Sequence, residues 1–251
     1  MLQTEPRVGL GTNRLTNMPE NVAFLREAVG AGLRLIDTAY TYRGGDSEGT
    51  IGAALSPLPD GVVVATKGGW DGAKPETLRA ELEESLRRLR LEAIPLYYLH
   101  RPDPATPIEE SVGALAELQA EGKIRDVGVS NVDLDGLERA REVVTVAAVQ
   151  NHYSLVERES DDVVDHCARE GIAFVPYFPL RHLDDDGALV EIAERHGATT
   201  SQVALAWLLQ RSRVMHPIPG TLSLDHLREN LAAERLELSD EDFAGLRDQK
   251  T

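Results

Sequence analysis

The chain has 251 residues, which is enough for one domain with a sizeable core. Its 26 basic and 42 acidic residues give a net charge of −16, which argues against nucleic-acid binding because such proteins carry a basic patch. No apolar run approaches the roughly 20 residues of a membrane span, and the start of the chain lacks signal-peptide features. The single cysteine, Cys167, lies in an amphipathic pattern that favours a buried structural thiol. These features predict a cytoplasmic protein that binds neither nucleic acid nor membrane.

Short apolar segments of β type alternate with helical patterns along the chain. Most of the strand candidates are continuously apolar, as is typical of parallel strands covered on both faces. The intervening segments have apolar residues spaced three and four apart, as in the leucine stripe of residues 78–89, and this spacing predicts helices. The eight strand candidates cover residues 7–11, 33–37, 62–66, 94–99, 125–130, 145–150, 172–177 and 214–219.

Eight strands with intervening helices predict an α/β fold, namely a (β/α)8 TIM barrel. Because no linker or low-complexity segment is present, residues 1–251 are interpreted as a single domain. Pro75 and Pro107 suit the first turns of helices, and Gly122 suits a C-terminal helix cap. The helix-rich tail, Leu224 to Arg247, is expected to pack outside the barrel. An open doubly wound sheet is the alternative.

Four polar residues occur near the ends of consecutive strand candidates. Asp37, Lys67 and His100 each follow one directly, and Tyr42 lies in the loop after the second. Taken singly, each has an ordinary structural explanation, such as a helix cap for Asp37 or a solvated loop position for Lys67. Catalytic groups of α/β barrels come from the carboxyl ends of several strands. The joint occurrence of the four residues therefore favours one acid–base site.

The order and context of these residues resemble the aldo-keto reductases, whose catalytic residues are Asp, Tyr, Lys and His. The resemblance extends from about Arg7 to Glu241. It implies reduction of aldehydes or ketones to alcohols, with Tyr42 as general acid and His100 orienting the carbonyl. Lys67 would assist Tyr42, because an ammonium favours loss of a phenolic proton, and Asp37 would hold Lys67. No side chain supplies hydride, so NADPH is the expected cofactor, with NADH possible.

The same resemblance implies where the cofactor binds. Ser130, Asn131 and Gln150 match residues that hold the nicotinamide carboxamide, and Tyr177 matches the aromatic residue on which the ring stacks. Helix capping is the alternative for Ser130 and Asn131, because a helix is predicted to begin near Asp133.

The segment 218–233 resembles the family's phosphate-binding signature, at a helix N-terminus that favours anions. Gly220 and His226 stand where the family often has Lys and Arg, which weakens the expected hold on the phosphates. Arg181 and His182 are candidates to compensate. The expected cofactor-binding residues are Ser130, Asn131, Gln150, Tyr177, Leu180, Arg181, Gly220, Thr221, His226, Glu229 and Asn230.

Short loops predict an open substrate site for small carbonyl compounds, bordered by Tyr40, Trp70 and His152. Outer packing is the alternative for Trp70. The GLGTN segment near residue 9 lacks the third glycine of a dinucleotide fingerprint. The DDDG run at 184–187 is too short for a calcium loop, and the histidine spacing matches no zinc motif, so no metal is predicted.

Two other functions stay open at this point. Short loops and the missing phosphate cations are compatible with a low-turnover protein that senses the cofactor or serves as a scaffold. A lyase that uses Lys67 as a Schiff base is the second alternative, although pairing with Asp37 would keep Lys67 charged. A monomer is the favoured oligomeric state.

Overall fold

A computed structural model of the chain describes residues 4–183 and 187–247. Within these ranges, seven strands form one curled parallel sheet in which the strand order follows the chain. Residues 184–186 of the DDDG run lie outside the described part. The strands are β1 Leu10–Gly11, β2 Leu35–Asp37, β3 Val63–Gly68, β4 Ile94–Leu99, β5 Ile124–Ser130, β6 Val146–Gln150 and β7 Ala173–Phe174.

Ten α-helices follow or flank these strands in the described residues. They are α1 Pro19–Gly30, α2 Asp46–Leu55, α3 Pro75–Leu89, α4 Ile108–Ala120, α5 Leu134–Arg141, α6 Asp161–Glu170, α7 Gly187–His196, α8 Thr200–Arg211, α9 Leu224–Ala232 and α10 Asp240–Arg247. The tail helices join the outer helix layer as predicted, since α9 contacts α1 and α8 and α10 contacts α7. In the part of the chain that is described, no helix has the length and apolar character needed to cross a membrane.

The helix ends follow local sequence rules closely. Pro75 opens α3, as predicted, because its fixed φ suits the first turn and its missing N–H would have no partner there. Pro107 lies one position earlier than predicted, at the N-cap of α4. Gly122, with φ +79°, follows α4 in the left-handed conformation that favours glycine.

The eighth predicted strand is an extended segment bound to both edges of the sheet, not a regular strand. On one side, it bonds to the N–H and carbonyl of Phe174, each at 2.8 Å. On the other side, the carbonyls of Pro217 and Pro219 accept from Gly9 and Gly11 at 2.9 and 3.2 Å. Prolines have no N–H to donate, so this segment contributes isolated bridges instead of a continuous ladder.

The buried core has two layers. The larger layer lies between the sheet and the helices and contains most of the leucine stripe of α3. Cys167 belongs to this layer and is fully buried, which raises the pKa of its thiol to about 12 and confirms the structural interpretation. The smaller layer lies inside the curled sheet and consists of Leu35, Ala65, Leu96, Tyr98, Ala148, Ala173, Val175 and Ile218.

Candidate active site

Parallel strand register brings three of the four predicted acid–base residues to one edge of the sheet. Asp37 ends β2, Lys67 is the penultimate residue of β3, and His100 follows β4. In the register, Asp37 is paired with Ala65 and Lys67 with Tyr98. The carboxyl ends of neighbouring parallel strands therefore place these side chains together, as the sequence predicts.

Asp37 and Lys67 form a buried ion pair. The Lys67 ammonium donates to one Asp37 oxygen and to the Thr38 carbonyl, both at 2.6 Å, and Gln150 donates to the other Asp37 oxygen at 2.8 Å. Burial disfavours the ammonium, but Asp37 and Tyr42 outweigh it and hold the pKa of Lys67 above its ordinary value. Burial also raises the pKa of the Asp37 carboxyl, against the opposing effects of Lys67 and Gln150. Because both carboxylate oxygens have close donors, we assign the pair as ionised.

Tyr42 approaches this pair from a short 3-10 turn, Tyr42–Gly45. The Lys67 ammonium lies 5.0 Å from the centroid of its ring, and the His100 ring lies 6.1 Å away, edge to face. Arg43 in the turn has φ +52°, which is uncommon for a residue other than glycine. Gly44 and Gly45 also have positive φ. This left-handed stretch turns the chain sharply into α2 directly after Tyr42.

His100 is buried and neutral. Burial, together with the charges of Lys67 and Arg101, lowers its pKa to about 3. Its ring lies 4.6 Å from that of Trp70. The Nδ1 atom is buried and has no hydrogen-bond partner among the described residues. A neutral imidazole carries one N–H, which can donate to a carbonyl oxygen.

The acid–base residues open onto a cavity of about 560 Å³, a volume typical of small-molecule sites. Lys67 contacts the wall residues Asp37 and Tyr42 without lining the cavity itself. Within the described ranges, no group of three or more His, Cys, Asp or Glu side chains could hold a metal ion. The predicted site residues in the wall are Asp37, Tyr42, Trp70, His100, Ser130, Asn131, Gln150, Tyr177 and Gly220.

Ser130 and Asn131 face this cavity and do not cap a helix. The Ser130 hydroxyl donates to the Gln150 carbonyl at 2.7 Å, which ties the end of β5 to the end of β6. Helix α5 is capped by Asp133, whose carboxylate accepts from the Gly136 N–H at 2.8 Å. The capping alternative for Ser130 and Asn131 is therefore wrong.

Tyr177 presents an aromatic ring to the cavity, and its hydroxyl donates to Asn131 at 2.8 Å. The His152 ring stacks on it, with centroids 5.4 Å apart and planes 12° from parallel. His152 is not in the cavity wall. Contrary to the prediction, its position supports Tyr177 and does not border the substrate space.

Tyr40 also lies outside the cavity wall, contrary to the prediction. The Arg88 guanidinium lies 4.6 Å from its ring centroid and donates to its carbonyl at 3.0 Å, and these contacts hold Tyr40 towards α3. Trp70, in contrast, lines the cavity with 40% of its surface exposed. The outer-packing alternative for Trp70 is therefore wrong.

The predicted phosphate segment only partly reaches the cavity. Gly220 lies in the wall, and α9 begins four residues later with Ser223 as its N-cap. His226, on the first turn of α9, is exposed, whereas Asn230 is buried. The Arg181 guanidinium lies 5.3 Å from the ring of Phe178. The predicted cofactor residues that do not line the cavity are Leu180, Arg181, Thr221, His226, Glu229 and Asn230.

Several wall residues were not predicted. Arg14 follows β1, close in sequence to the GLGTN segment, and Arg101 directly follows His100, so both had a local sequence signal. Phe178 has φ +52° and is 43% exposed, a backbone conformation that the sequence does not indicate. A Cβ on Gly11 would lie 2.8 Å from the Ile218 carbonyl oxygen, so glycine permits the close approach there. The unpredicted wall residues are Gly11, Thr12, Asn13, Arg14, Thr41, Arg101, Phe178 and Ile218.

Comparison with known proteins identifies relatives over almost the whole chain. The sequence profile of the aldo/keto reductase family matches residues 7–183 and 181–249. An uncharacterized oxidoreductase of Schizosaccharomyces pombe is 38% identical over 262 residues, which covers 96% of this chain and 85% of that protein. Pyridoxine 4-dehydrogenase of Escherichia coli is 38% identical over 238 residues, which covers 88% of this chain and 83% of that protein.

Solved structures of aldo-keto reductases also resemble this chain. A thermostable aldo-keto reductase in complex with the inhibitor epalrestat has a TM-score of 0.90 and 35% identity, covering 96% of this chain and 94% of its own. An aldo-keto reductase from Klebsiella pneumoniae in complex with NADPH has a TM-score of 0.88 and 32% identity, covering 96% of this chain and 89% of its own. The chain belongs to the aldo/keto reductase family. It is a nicotinamide-dependent oxidoreductase.

Proposed function

We propose that this protein reduces aldehydes or ketones to alcohols with NADPH, and that Tyr42 is the general acid. The observation that carries the proposal is the buried Asp37–Lys67 ion pair beside Tyr42, at the wall of a cavity that the neutral His100 also lines. A proton donor, a cation beside it and a neutral hydrogen-bond donor are the groups that carbonyl reduction requires.

The cavity residues fit a nicotinamide cofactor. The Asn131 and Gln150 amides and the Ser130 hydroxyl offer donors and acceptors for a carboxamide, and Tyr177 offers a flat ring. When bound, NADPH supplies the hydride for the carbonyl carbon. The Klebsiella pneumoniae neighbours were solved with NADPH and with NADP, which supports NADPH as the first choice.

Arg14 is our candidate for a phosphate contact. It lies in the same wall as Gly220, where the family often has a lysine. Gly220 itself pairs with Gly11 through an isolated bridge, so the loop after β1 passes directly beside the phosphate segment. A guanidinium on this loop can supply the charge that Gly220 cannot.

The side chains divide the proton chemistry among them. The Tyr42 hydroxyl donates its proton to the carbonyl oxygen as the alcohol forms. The Lys67 ammonium stabilises the phenolate that this transfer leaves, and Asp37 positions Lys67. The neutral His100 donates a hydrogen bond to the same carbonyl oxygen and orients it.

Two features bear on the alternatives. A Schiff base at Lys67 requires an unprotonated amine, whereas the pKa of Lys67 lies above its ordinary value because Asp37 and Tyr42 outweigh burial. The complete acid–base group gives no support to a non-catalytic scaffold. Pyridoxine 4-dehydrogenase is among the relatives, so pyridoxine and its 4-oxidised form belong in the first substrate panel.

The test is the Tyr42→Phe variant, which keeps the ring and removes the hydroxyl. We expect single-turnover reduction of a reactive aldehyde to slow by about 10²- to 10⁴-fold, while NADPH binding, followed by fluorescence, persists. Tyr40→Phe is the matched control, because Tyr40 is on the same loop but outside the cavity wall. A Tyr42→Phe enzyme as fast as the wild type would disprove the assigned role. A wild type that binds NADPH without oxidising it would favour the cofactor-sensing protein.

A further inference from the structure

We propose that Arg101 makes the substrate site selective for carbonyl compounds that carry a carboxylate or phosphate a few carbon atoms from the carbonyl group. The inference rests on the proposed function, because it assigns the substrate class of the same cavity. It is carried by the placement of Arg101, by the charge of the cavity wall and by the distance from the expected phosphate site.

Arg101 is held in place at the cavity wall by Trp70. Its Nε donates to the Trp70 carbonyl at 2.8 Å, and its guanidinium carbon lies 4.4 Å from the centroid of the Trp70 ring. Among the described residues, the Trp70 carbonyl is the hydrogen-bond acceptor for the Arg101 guanidinium, and no carboxylate forms an ion pair with this guanidinium. The terminal guanidinium nitrogens therefore keep donors in the planar arrangement that binds a carboxylate or phosphate with two hydrogen bonds.

The guanidinium lies within reach of the reacting end of a substrate. The Trp70 ring contacts both Arg101 and His100, with 4.6 Å between the centroids of the Trp70 and His100 rings. The Arg101 guanidinium carbon lies 4.4 Å from the Trp70 ring centroid, so its distance from the His100 ring centroid cannot exceed the 4.4 Å and 4.6 Å distances added together. A carbonyl oxygen held by His100 leaves room for an anionic group on the same short substrate to reach Arg101.

The charge of the wall contrasts with that of the whole protein. The chain carries a net charge of −16, yet the acidic residue in the described cavity wall is Asp37, which Lys67 neutralises. Asp103, two residues after Arg101, forms no ion pair with it among the described residues. Its carboxylate accepts from the Ala73 and Ala105 N–H groups and the Thr106 hydroxyl, and these bonds, with a smaller effect of the Arg101 charge, lower the pKa of its carboxyl. A cationic wall in an acidic protein attracts anions into the cleft.

Arg101 is far along the sheet from the expected phosphate segment. It follows β4, in the middle of the seven-strand order, whereas Gly220 pairs with Gly11 at the β1 edge. Arg14 lies near that edge and is the cation available to the cofactor. This separation assigns Arg101 to the substrate.

The experiment compares 4-carboxybenzaldehyde with its methyl ester, which differ mainly in charge, as substrates of the full-length enzyme with NADPH. We expect the wild type to prefer the acid in kcat/KM. In Arg101→Met, the ratio of acid to ester should fall by about 10- to 100-fold, the range of a charge-assisted contact. Arg101→Lys should recover part of the ratio. Arg79→Met is the control, since Arg79 pairs with Glu121 on the outer surface and should leave the ratio unchanged.

The outcomes separate the two proposals. If the wild type reduces the ester as well as the acid and Arg101→Met leaves their ratio unchanged, carbonyl reduction stands and the anion selectivity is overturned. If the wild type oxidises NADPH with neither substrate nor with any other aldehyde, the proposed function fails and the selectivity fails with it. A fall of the ratio in Arg101→Met but not in Arg79→Met supports the inference.

Discussion

The two sides of the cavity are built in different ways. The side formed by β2 to β4 carries Asp37 and Lys67 on strand ends, almost fully buried and within 2.6 Å of each other. On the side of the eighth segment, Gly220 lies in the wall and an exposed His226 lies outside it, at the two positions where the family often has cations. Proton transfer requires fixed geometry in a dry environment, which buried strand ends provide. Attraction of phosphates tolerates looser geometry, so its charges can come from neighbouring loops such as the one that carries Arg14.

The largest effect is expected on the buried side, from Lys67→Met. Removing one partner of a buried pair leaves an uncompensated charge, so the free energy of unfolding should fall by about 3–5 kcal/mol. Chemical denaturation at neutral pH measures this loss, and a variant as stable as the wild type would contradict the ionised pair.

The double variant Lys67→Met/Asp37→Asn separates stability from chemistry. It removes both charges and keeps a side chain at position 37 that can accept from Gln150. Most of the lost stability should return, while carbonyl reduction should stay lost because Tyr42 has no adjacent cation. Recovery of activity together with stability would show that Lys67 serves the fold alone.

An intermediate effect is expected in the eighth segment, at His216. Burial and the charge of Arg7 lower the pKa of His216 to about 4, whereas an unfolded histidine titrates near ~6.5. As the pH falls from 7 to 5, the unfolded chain takes up this proton first, so the folded state loses stability. Relative to His216→Asn, the wild type should lose about 2 kcal/mol over this range.

Urea denaturation of both proteins at pH 7 and pH 5 measures that difference. The buried His100, whose pKa is lowered to about 3 by burial and nearby cations, also destabilises the folded state as the pH falls. This loss of stability is the same in both proteins, so it cancels when they are compared. Parallel losses of stability in the two proteins would show that His216 accepts a proton in the folded state.

The smallest effect is expected on the phosphate side, from His226→Arg. The position is exposed on the first turn of α9, so an added guanidinium there should strengthen binding of the 2′-phosphate by roughly 0.6 kcal/mol. This corresponds to a KM for NADPH lowered by about threefold, with a smaller change for NADH. His226→Gln is the control for the altered side chain. An equal change in KM for NADPH and for NADH would show that the residue at position 226 does not contact the 2′-phosphate.

The acid–base residues were predictable because parallel strands put their carboxyl ends at one edge, so Asp37, Lys67 and His100 needed no knowledge of loop shape. Tyr40 and His152 were misplaced for the opposite reason. The directions of their side chains are set by Arg88 and by the Tyr177 ring, partners that are distant in the chain. The seven strands were predictable from apolar runs, whereas prolines reduced the eighth to isolated bridges.

The sequence by itself determined the alternation of strands and helices, the order of the acid–base residues and the acidic charge of the chain, because these depend on residue type and spacing. The tertiary structure alone decided which further side chains share the cavity with the predicted ones, and which predicted ones lie outside it. It placed Phe178 in the wall through a left-handed backbone and made His100 neutral by burial. Loop conformation and desolvation arise from contacts between distant segments, and no local pattern records them.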